Sequence, residues 1–377
     1  MSQRAATTEL RILIAGLLDW RSCLLSKLVL VLGISYLFIP LDLIPDRIPI
    51  IGHFDEIGFV VAGFVGSRRL IPKPSEDKYV TAWDADLKVT LRPGRWQHLQ
   101  FLIRIVRADV SNFFLYHYRW VHAFLVTGKN SGTHWLKFML SCALATQYGV
   151  PAPRHSSGQE ADAIISHPKW PQRYPRLPKI GSSHSIPSIV FAWPWFAPIV
   201  PMRPIVVLVR DIRSAMTSHY VKWQNEYQVQ FASYVRGDPT GERYRADVWW
   251  YVHFFNRWGD LARAHPQTVL VVRYEDLQAD PGACLRRVAT HMRLDLDESS
   301  VAAALRVTTR DAMRALLDPA GREVIIPLAD ATLTAVYSQE DEVFMRNAFA
   351  RYLRHDFGYG YIAAAALPDW ESAGPAQ

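Results

Sequence analysis

The feature that most constrains the fold is the segment GKNSGTHW at 128–135. A short apolar run typical of a buried strand precedes it, from His122 to Thr127. From Trp135 to Gln147 the spacing of apolar residues is helical. A helix that starts directly after such a loop leaves backbone N–H groups unpaired, and these groups bind phosphate or sulfate. The segment therefore predicts an α/β fold with an anion-binding loop.

Two further apolar runs extend this pattern. PIVVLV at 204–209 has the composition of a buried parallel strand, and Arg210 follows it directly. Ser218 comes eight positions later on a helical segment, and a third strand is predicted from Thr268 to Val272. Since ligands bind at the carboxyl ends of strands in open α/β sheets, the arginine and the serine hydroxyl together suit a second phosphate.

The loop departs from that of nucleotide triphosphatases. Those proteins carry a lysine directly after the last glycine, whereas Gly132 is followed by Thr133 and His134. This difference counts against a nucleotide kinase, which stays open as an alternative.

Taken in order, these segments resemble the sulfotransferase family that uses 3'-phosphoadenosine 5'-phosphosulfate. The SGTxW core of its phosphosulfate loop matches residues 131–135, its Arg-x7-Ser element matches Arg210 with Ser218, and its later strand and acidic turn match RYEDL at 273–277. The resemblance spans residues 118–361. It implies a P-loop-type central parallel sheet flanked by helices, transfer of a sulfuryl group to an acceptor hydroxyl, and no metal.

The resemblance also implies roles for single residues. His184, with Pro187 three residues on, takes the place of the catalytic base of the hydroxyl-acceptor branch. The family usually has a basic residue where this chain has Asn130, so we expect Lys129 to reach the leaving group instead. Trp135 is expected either to pack against adenine or to be a core residue. The residues expected to bind the co-substrate are Lys129, Asn130, Ser131, Gly132, Thr133, His134, Trp135, Arg210 and Ser218.

The N-terminal region, residues 11–71, is more apolar than the rest. Its apolar runs either are shorter than the about 20 residues that a membrane-spanning helix needs, or are interrupted by a charge such as Lys27. The segment PLDLIPDRIPIIGHFDEIG at 40–58 resembles the YkvA-like family of small membrane-associated domains, over about residues 25–70. This resemblance implies a small α-helical module and membrane association. Its acidic residues are better explained as helix caps than as metal ligands, so no metal site is predicted.

Residues 72–117 are predicted to be a linker followed by an amphipathic helix. From Trp96 to Tyr118 the helical pattern sets Arg104 and Arg107 opposite an apolar face. That face comprises Leu99, Leu102, Ile103, Val106, Val110, Phe113 and Phe114. The helix is expected either to lie at a membrane surface or to pack against the catalytic domain, which would span 118–361 and precede a tail at 362–377.

Composition limits the partners. The chain has 42 basic and 35 acidic residues, a net charge of +7 that favours an anionic partner, but its basic residues are spread and form no nucleic-acid recognition module. Three separated cysteines, without metal or disulfide spacing, indicate a reducing compartment. We therefore expect membrane association with the catalytic domain on the cytoplasmic side, and a hydroxylated acceptor such as a lipid or saccharide. A membrane-tethered nucleotide-binding protein without catalysis is the alternative.

Overall fold

The computed structural model describes residues 91–155, 159–193, 201–309, 312 and 336–362. The chain divides into two compact units, Met1–Val89 and Thr90–Gln377. The predicted YkvA-like module at 11–71 lies outside the described residues, as does the predicted tail beyond residue 362.

The described residues form eleven α-helices and five strands, with a short 3-10 helix at Ile189–Ala192. The strands are β1 Ala123–Thr127, β2 Ile165–Ser166, β3 Ile180–Ser183, β4 Ile205–Val209 and β5 Val269–Arg273. The helices are α1 Arg95–Ser111, α2 Phe114–His117, α3 Thr133–Tyr148, α4 Gln159–Asp162, α5 Ile212–Tyr227, α6 Phe231–Arg236, α7 Val248–Ala264, α8 Tyr274–Ala279, α9 Pro281–His291, α10 Glu298–Val307 and α11 Gln339–Tyr352.

The strands form one parallel sheet in the order β2-β3-β1-β4-β5. In the register of the central strands, Val126 lies beside Ser183 on one side and Val207 on the other. The three strands predicted from apolar runs are thus β1, β4 and β5, each within one or two residues of its predicted bounds. This confirms the predicted central parallel sheet flanked by helices.

Helices cover both faces of the sheet. Side chains alternate between these faces along each strand and so enter two separate cores. Phe124 and Val126 of β1 join a core built with α5, α7 and α11, whereas Leu125 joins a second core built with α3, α9 and α10. The continuous apolar runs are the sequence signature of strands covered by helices on both sides.

The predicted helix from Trp96 to Tyr118 is wrong at its C-terminal end. Helix α1 ends at Ser111, and Asn112 leaves the helical conformation. The amide of Asn112 donates to the Ile186 carbonyl at 2.9 Å, which ties this break to the chain that follows β3. A tertiary contact thus ends the helix where its periodicity would have continued it.

The apolar pattern of α1 also predicts its orientation poorly. Phe114 is buried, but the rest of the predicted apolar face is exposed, whereas Phe101 and Arg104 face the domain. Among the described residues, no helix is long and apolar enough to cross a bilayer.

Candidate active site

Polar residues from four strands meet at one edge of the sheet. Thr127 ends β1, His184 follows β3, Arg210 follows β4, and Tyr274 follows β5. Because the strands are parallel, their carboxyl ends share this edge. The chain leaves β1 towards β3 and β2 but leaves β4 towards β5. In open α/β sheets this reversal, here between β1 and β4, is where the ligand crevice forms, and we call this position the crevice.

The glycine loop lies at this crevice in a left-handed turn. Asn130 has φ +55° and Gly132 has φ +87°, and α3 begins at the next residue, Thr133. A Cβ atom on Gly132 would lie 2.5 Å from Cδ2 of Tyr274. Position 132 therefore strongly favours glycine, both for its backbone angle and for its close contact with the ring of Tyr274, the first residue of α8.

We expect Gly132→Ala to disturb the loop more than a matched glycine change elsewhere. Gly149, at the end of α3, also has a positive φ but has no atom within 4 Å of an added Cβ. Gly149→Ala should cost about 1 kcal/mol of stability, and Gly132→Ala about 2–3 kcal/mol. Thermal unfolding measures this difference, and titration with 3'-phosphoadenosine 5'-phosphate (PAP) should show weaker binding in Gly132→Ala alone. Equal affinity in both variants would contradict a ligand-binding role for the loop.

Arg210 joins the glycine loop to α5. Its Nη1 donates to the Asn130 carbonyl at 3.1 Å and to the Ser218 hydroxyl at 3.4 Å. Its guanidinium carbon lies 4.6 Å from the ring centre of Tyr274. The structure thus brings the two predicted anion-binding segments together around one buried guanidinium.

His184 faces the crevice from the end of β3. Its Nδ1 lies 2.8 Å from the Thr127 carbonyl, and since a carbonyl oxygen only accepts, Nδ1 carries the proton. The Nε2 lone pair is therefore available. The residue is exposed on one side, but protein atoms surround the ring elsewhere. This desolvation lowers the pKa of His184, the hydrogen bond to Thr127 opposes that effect, and the Lys129 ammonium adds to it.

A closed ring of contacts fixes the two loop residues before Ser131. His219 Nδ1 lies 2.9 Å from Asn130 Oδ1, and His219 Nε2 lies 2.8 Å from the Tyr227 hydroxyl. That hydroxyl accepts from the Arg245 backbone N–H at 3.1 Å, and the Arg245 carbonyl accepts from Lys129 Nζ. Because residues 129 and 130 are adjacent, the ring closes on itself.

This ring determines where each loop side chain points. Asn130, which stands where a basic residue was expected, directs its amide to His219. Lys129 lies with its Nζ 5.1 Å from the ring centre of Trp250, and the Tyr251 hydroxyl donates to its carbonyl at 2.7 Å. The pKa of Lys129 is lowered to about 8, chiefly because the ammonium is buried and also because Arg104 lies nearby, while Asp247 opposes the shift. Lys129 thus carries its charge at neutral pH.

The ring predicts a pH dependence of stability. Burial lowers the pKa of His219 to about 3, so the folded protein keeps this ring neutral while the unfolded chain takes up a proton below about pH 6.5. Stability therefore falls as the pH drops below 6.5, by about 2 kcal/mol from this residue at pH 5. His219→Gln, which keeps an amide partner for Asn130, should lose less. Thermal unfolding at pH 7, 6 and 5 compares the two proteins, and parallel curves would contradict the assignment.

The remaining predicted site residues, Thr133, His134 and Trp135, begin α3 and differ in their contacts. Thr133 Oγ1 lies 2.7 Å from the Thr127 hydroxyl, which itself lies 3.1 Å from His184 Nδ1. Trp135 is half-buried, donates through Nε1 to the Thr308 carbonyl at 2.9 Å, and sits edge-on to Tyr274. His134 is exposed at the start of α3. In the part of the chain that the structure describes, no group of three or more His, Cys, Asp or Glu side chains suits a metal.

Sequence reasoning missed the residues that support the loop. His219, Tyr227 and Tyr251 belong to no predicted motif, although His219 directly follows Ser218 on α5. A helix that brings Ser218 close to the loop also brings the next residue, His219, near it. The position of His219 directly after Ser218 was therefore the sequence signal that could have identified it.

Two family models match the chain. A family model described as "Sulfotransferase domain" matches residues 121–317, and one described as "Protein of unknown function (DUF1232)" matches residues 26–62, which confirms the resemblance of the N-terminal region. No curated protein matches the chain.

Solved structures that are similar to this chain include two complexes with PAP. Mouse sulfotransferase SULT7A1 complexed with PAP is 14% identical with a TM-score of 0.39, and the match covers 61% of this chain and 83% of that one. Retinol dehydratase in complex with androsterone and inactive cofactor PAP is 12% identical with a TM-score of 0.39, covering 64% and 85%. The sulfotransferase model spans more than half of the chain, and the matched residues contain the loop, His184 and the Arg210–Ser218 pair. The chain therefore belongs to the sulfotransferase family of enzymes.

Proposed function

We propose that the protein transfers the sulfuryl group of 3'-phosphoadenosine 5'-phosphosulfate to an acceptor hydroxyl, with His184 as the base. The observation that supports the proposal is the contact of Arg210 with both Asn130 and Ser218, because it joins two segments 80 residues apart around one guanidinium, an arrangement that suits an anion. His184, at the neighbouring strand end, turns its Nε2 lone pair away from Thr127.

The residues present suit a donor with two anionic ends. Arg210 and Ser218 offer a charged fork and a hydroxyl, which fit the 3'-phosphate. The loop and the start of α3 offer backbone N–H groups and the Thr133 hydroxyl, which fit the 5'-phosphosulfate. Trp135, half-buried beside Tyr274, supplies an aromatic surface at the same edge.

His184 would take the acceptor proton on Nε2 as the acceptor oxygen bonds to sulfur. The sulfur–oxygen bond to the 5'-phosphate breaks at the same time, and its electron pair stays on the phosphate of the leaving PAP. The Thr127 carbonyl accepts from Nδ1–H and so holds the ring in the tautomer that this step needs. The lowered pKa of His184 keeps the base unprotonated at neutral pH.

Lys129 would neutralise the charge that develops on the leaving phosphate, because Asn130 carries no charge and its side chain is directed to His219. The ring through Tyr227 and Arg245 limits the motion of the Lys129 side chain. A positioned cation acts in the transition state without the cost of ordering a flexible chain at that moment.

Label transfer tests the proposal. The full chain is incubated with the 35S-labelled donor and a panel of phenols, sterols, long-chain alcohols and sugars. We expect label on at least one acceptor and release of PAP. Binding of PAP with no transfer to any compound of the panel would favour the alternative of a binding protein. In a parallel incubation with ATP, phosphate transfer to the same panel would favour a kinase.

We propose further that the protein works at a membrane, on its cytoplasmic side, and that the acceptor is a lipid or saccharide presented there. The match of residues 26–62 to a family of unknown function and the apolar composition of residues 11–71 support this. Fractionation of cells that express the full chain, with and without residues 1–71, tests the location. Equal recovery of both forms in the soluble fraction would contradict it.

A further inference from the structure

Helix α1 is turned with its polar side towards the domain. Asp109 pairs with Arg257 of α7 at 2.7 Å, and Arg104 Nη1 lies 3.7 Å from Asp247. Phe101, on the same helix, is buried in the core. Two charged residues of α1, Arg104 and Asp109, are thus used in holding the helix on the domain.

The opposite side of α1 is apolar and faces outward. Its side chains are between 43 and 73% exposed and recur at helical spacing, so they form one stripe along the helix. The stripe, which we call the outer face, comprises Leu99, Leu102, Ile103, Val106 and Val110. Exposed aromatic residues, Phe113, Tyr116 and Trp120, continue it beyond the end of α1.

The segment that carries the outer face is basic. Between residues 91 and 122 the single acidic residue is Asp109, which pairs with Arg257. Arg95, Arg107 and Arg119 are exposed along this segment. Arg203 Nε donates to the Arg119 carbonyl at 3.0 Å and adds a further guanidinium. An apolar stripe bordered by arginines, with Trp and Tyr at one end, suits an anionic membrane surface. There the apolar side chains enter the acyl region and the arginines meet the headgroups.

We propose that the outer face of α1 docks the catalytic domain on an anionic lipid surface. A second copy of this chain fits the face poorly, because a two-fold contact would set arginines against arginines with no carboxylate between them. The bilayer offers acyl chains to the stripe and negative headgroups to the arginines. This docking is independent of the sulfuryl-transfer chemistry.

The docking surface is connected to the chain beside His184. The Asn112 amide donates to the Ile186 carbonyl, and the Asp109 carboxylate accepts from the Ile189 N–H at 2.9 Å. The segment that follows the proposed base is thus held by the C-terminal half of α1. A domain seated on lipid through α1 would keep this side of the crevice at a fixed height above the bilayer.

Spin labels on the full chain test the proposal directly. In a Cys23→Ser background, one label is placed at Val106→Cys on the outer face and, separately, at Val307→Cys, an exposed valine on α10. With vesicles of phosphatidylcholine and phosphatidylglycerol at 3:1, the label at 106 should gain accessibility to oxygen and lose accessibility to a nickel chelate, and the label at 307 should not.

Three results would overturn the proposal. Co-sedimentation of the protein with vesicles while the label at 106 stays in water would assign binding to another region. Shielding of the label at 106 from the chelate without vesicles would assign the face to another part of the chain. Dipolar broadening between labels at 106 without lipid assigns it to a second copy.

A charge variant gives an independent measurement. Changing Arg95, Arg107 and Arg119 together to glutamine should lower the vesicle partition coefficient about a hundredfold at low salt. The matched control changes Arg263, Arg293 and Arg306, three exposed arginines on other elements, to glutamine. An equal decrease of the partition coefficient in both triple variants would mean that only the net charge of the protein matters, and would contradict a localised docking surface.

Discussion

His184→Ala should lower kcat about a thousandfold while the dissociation constant for PAP stays within about twofold. Positioned general bases contribute between a hundredfold and ten-thousandfold, and His184 has its Nδ1–H held by the Thr127 carbonyl, which leaves Nε2 as the basic nitrogen. Since His184 is held by Thr127, whereas Arg210 bonds to Asn130 and Ser218, nucleotide binding should survive. The measurement pairs 35S transfer to the best acceptor of a panel with calorimetric titration of PAP.

The pH profile sharpens this test. Because its surroundings lower the pKa of His184, the base form persists below the ordinary imidazole value of about 6.5. The acid limb of kcat/KM should therefore lie well below pH 6.5 in the native protein. His184→Asn keeps a polar side chain of similar size without a base and serves as control. Unchanged turnover in both variants would remove His184 from the mechanism.

Arg210→Ala should weaken PAP binding about a hundredfold. The guanidinium is buried and lies between the Asn130 carbonyl, the Ser218 hydroxyl and the Tyr274 ring, so a bound phosphate would meet a desolvated cation. Loss of charge-assisted hydrogen bonds costs about 1.5–3 kcal/mol each. Ser218→Ala removes a neutral hydroxyl from the same place and should weaken binding about tenfold or less.

A nucleotide without the 3'-phosphate separates binding from folding. Adenosine 5'-phosphosulfate lacks the group that Arg210 is proposed to hold, so the native protein and Arg210→Ala should bind it with similar affinity. Arg210→Lys keeps the charge but loses the fork, and we expect intermediate PAP affinity. If Arg210→Ala lost affinity for both nucleotides equally, the arginine would support the loop and not the 3'-phosphate.

The strands and the loop could be predicted because their signals are local. A short apolar run such as Ile205–Val209 is buried on both sides, and a glycine loop before a helix has few conformations open to it. The spacing of Arg210 and Ser218 on one strand end and the next helix also placed both in one crevice. These inferences need no knowledge of what packs against them.

The ring around Asn130 could not be predicted, because it depends on contacts between distant segments. His219 and Tyr227 lie on α5, whereas Arg245 belongs to the loop before α7, and their meeting point is set by how these elements pack. The replacement of a basic residue by asparagine could be seen in the sequence. Its partner His219 could not.

The orientation of α1 could not be predicted from its apolar periodicity, because it also depends on contacts between distant segments. The pattern correctly identified one apolar and one polar side, yet an ion pair between Asp109 and Arg257 and the burial of Phe101 turn the polar side inward. Periodicity gives the faces of a helix, and the partners of each face decide which one is covered.

Calorimetric titration of the purified full chain with PAP, with ATP and adenosine 5'-phosphate as controls, tests the central claim most directly. We predict that PAP binds at least a hundredfold more tightly than adenosine 5'-phosphate, because only PAP carries the 3'-phosphate for Arg210 and Ser218. Preference for ATP, or equal affinity for PAP and adenosine 5'-phosphate, would contradict the proposed donor site.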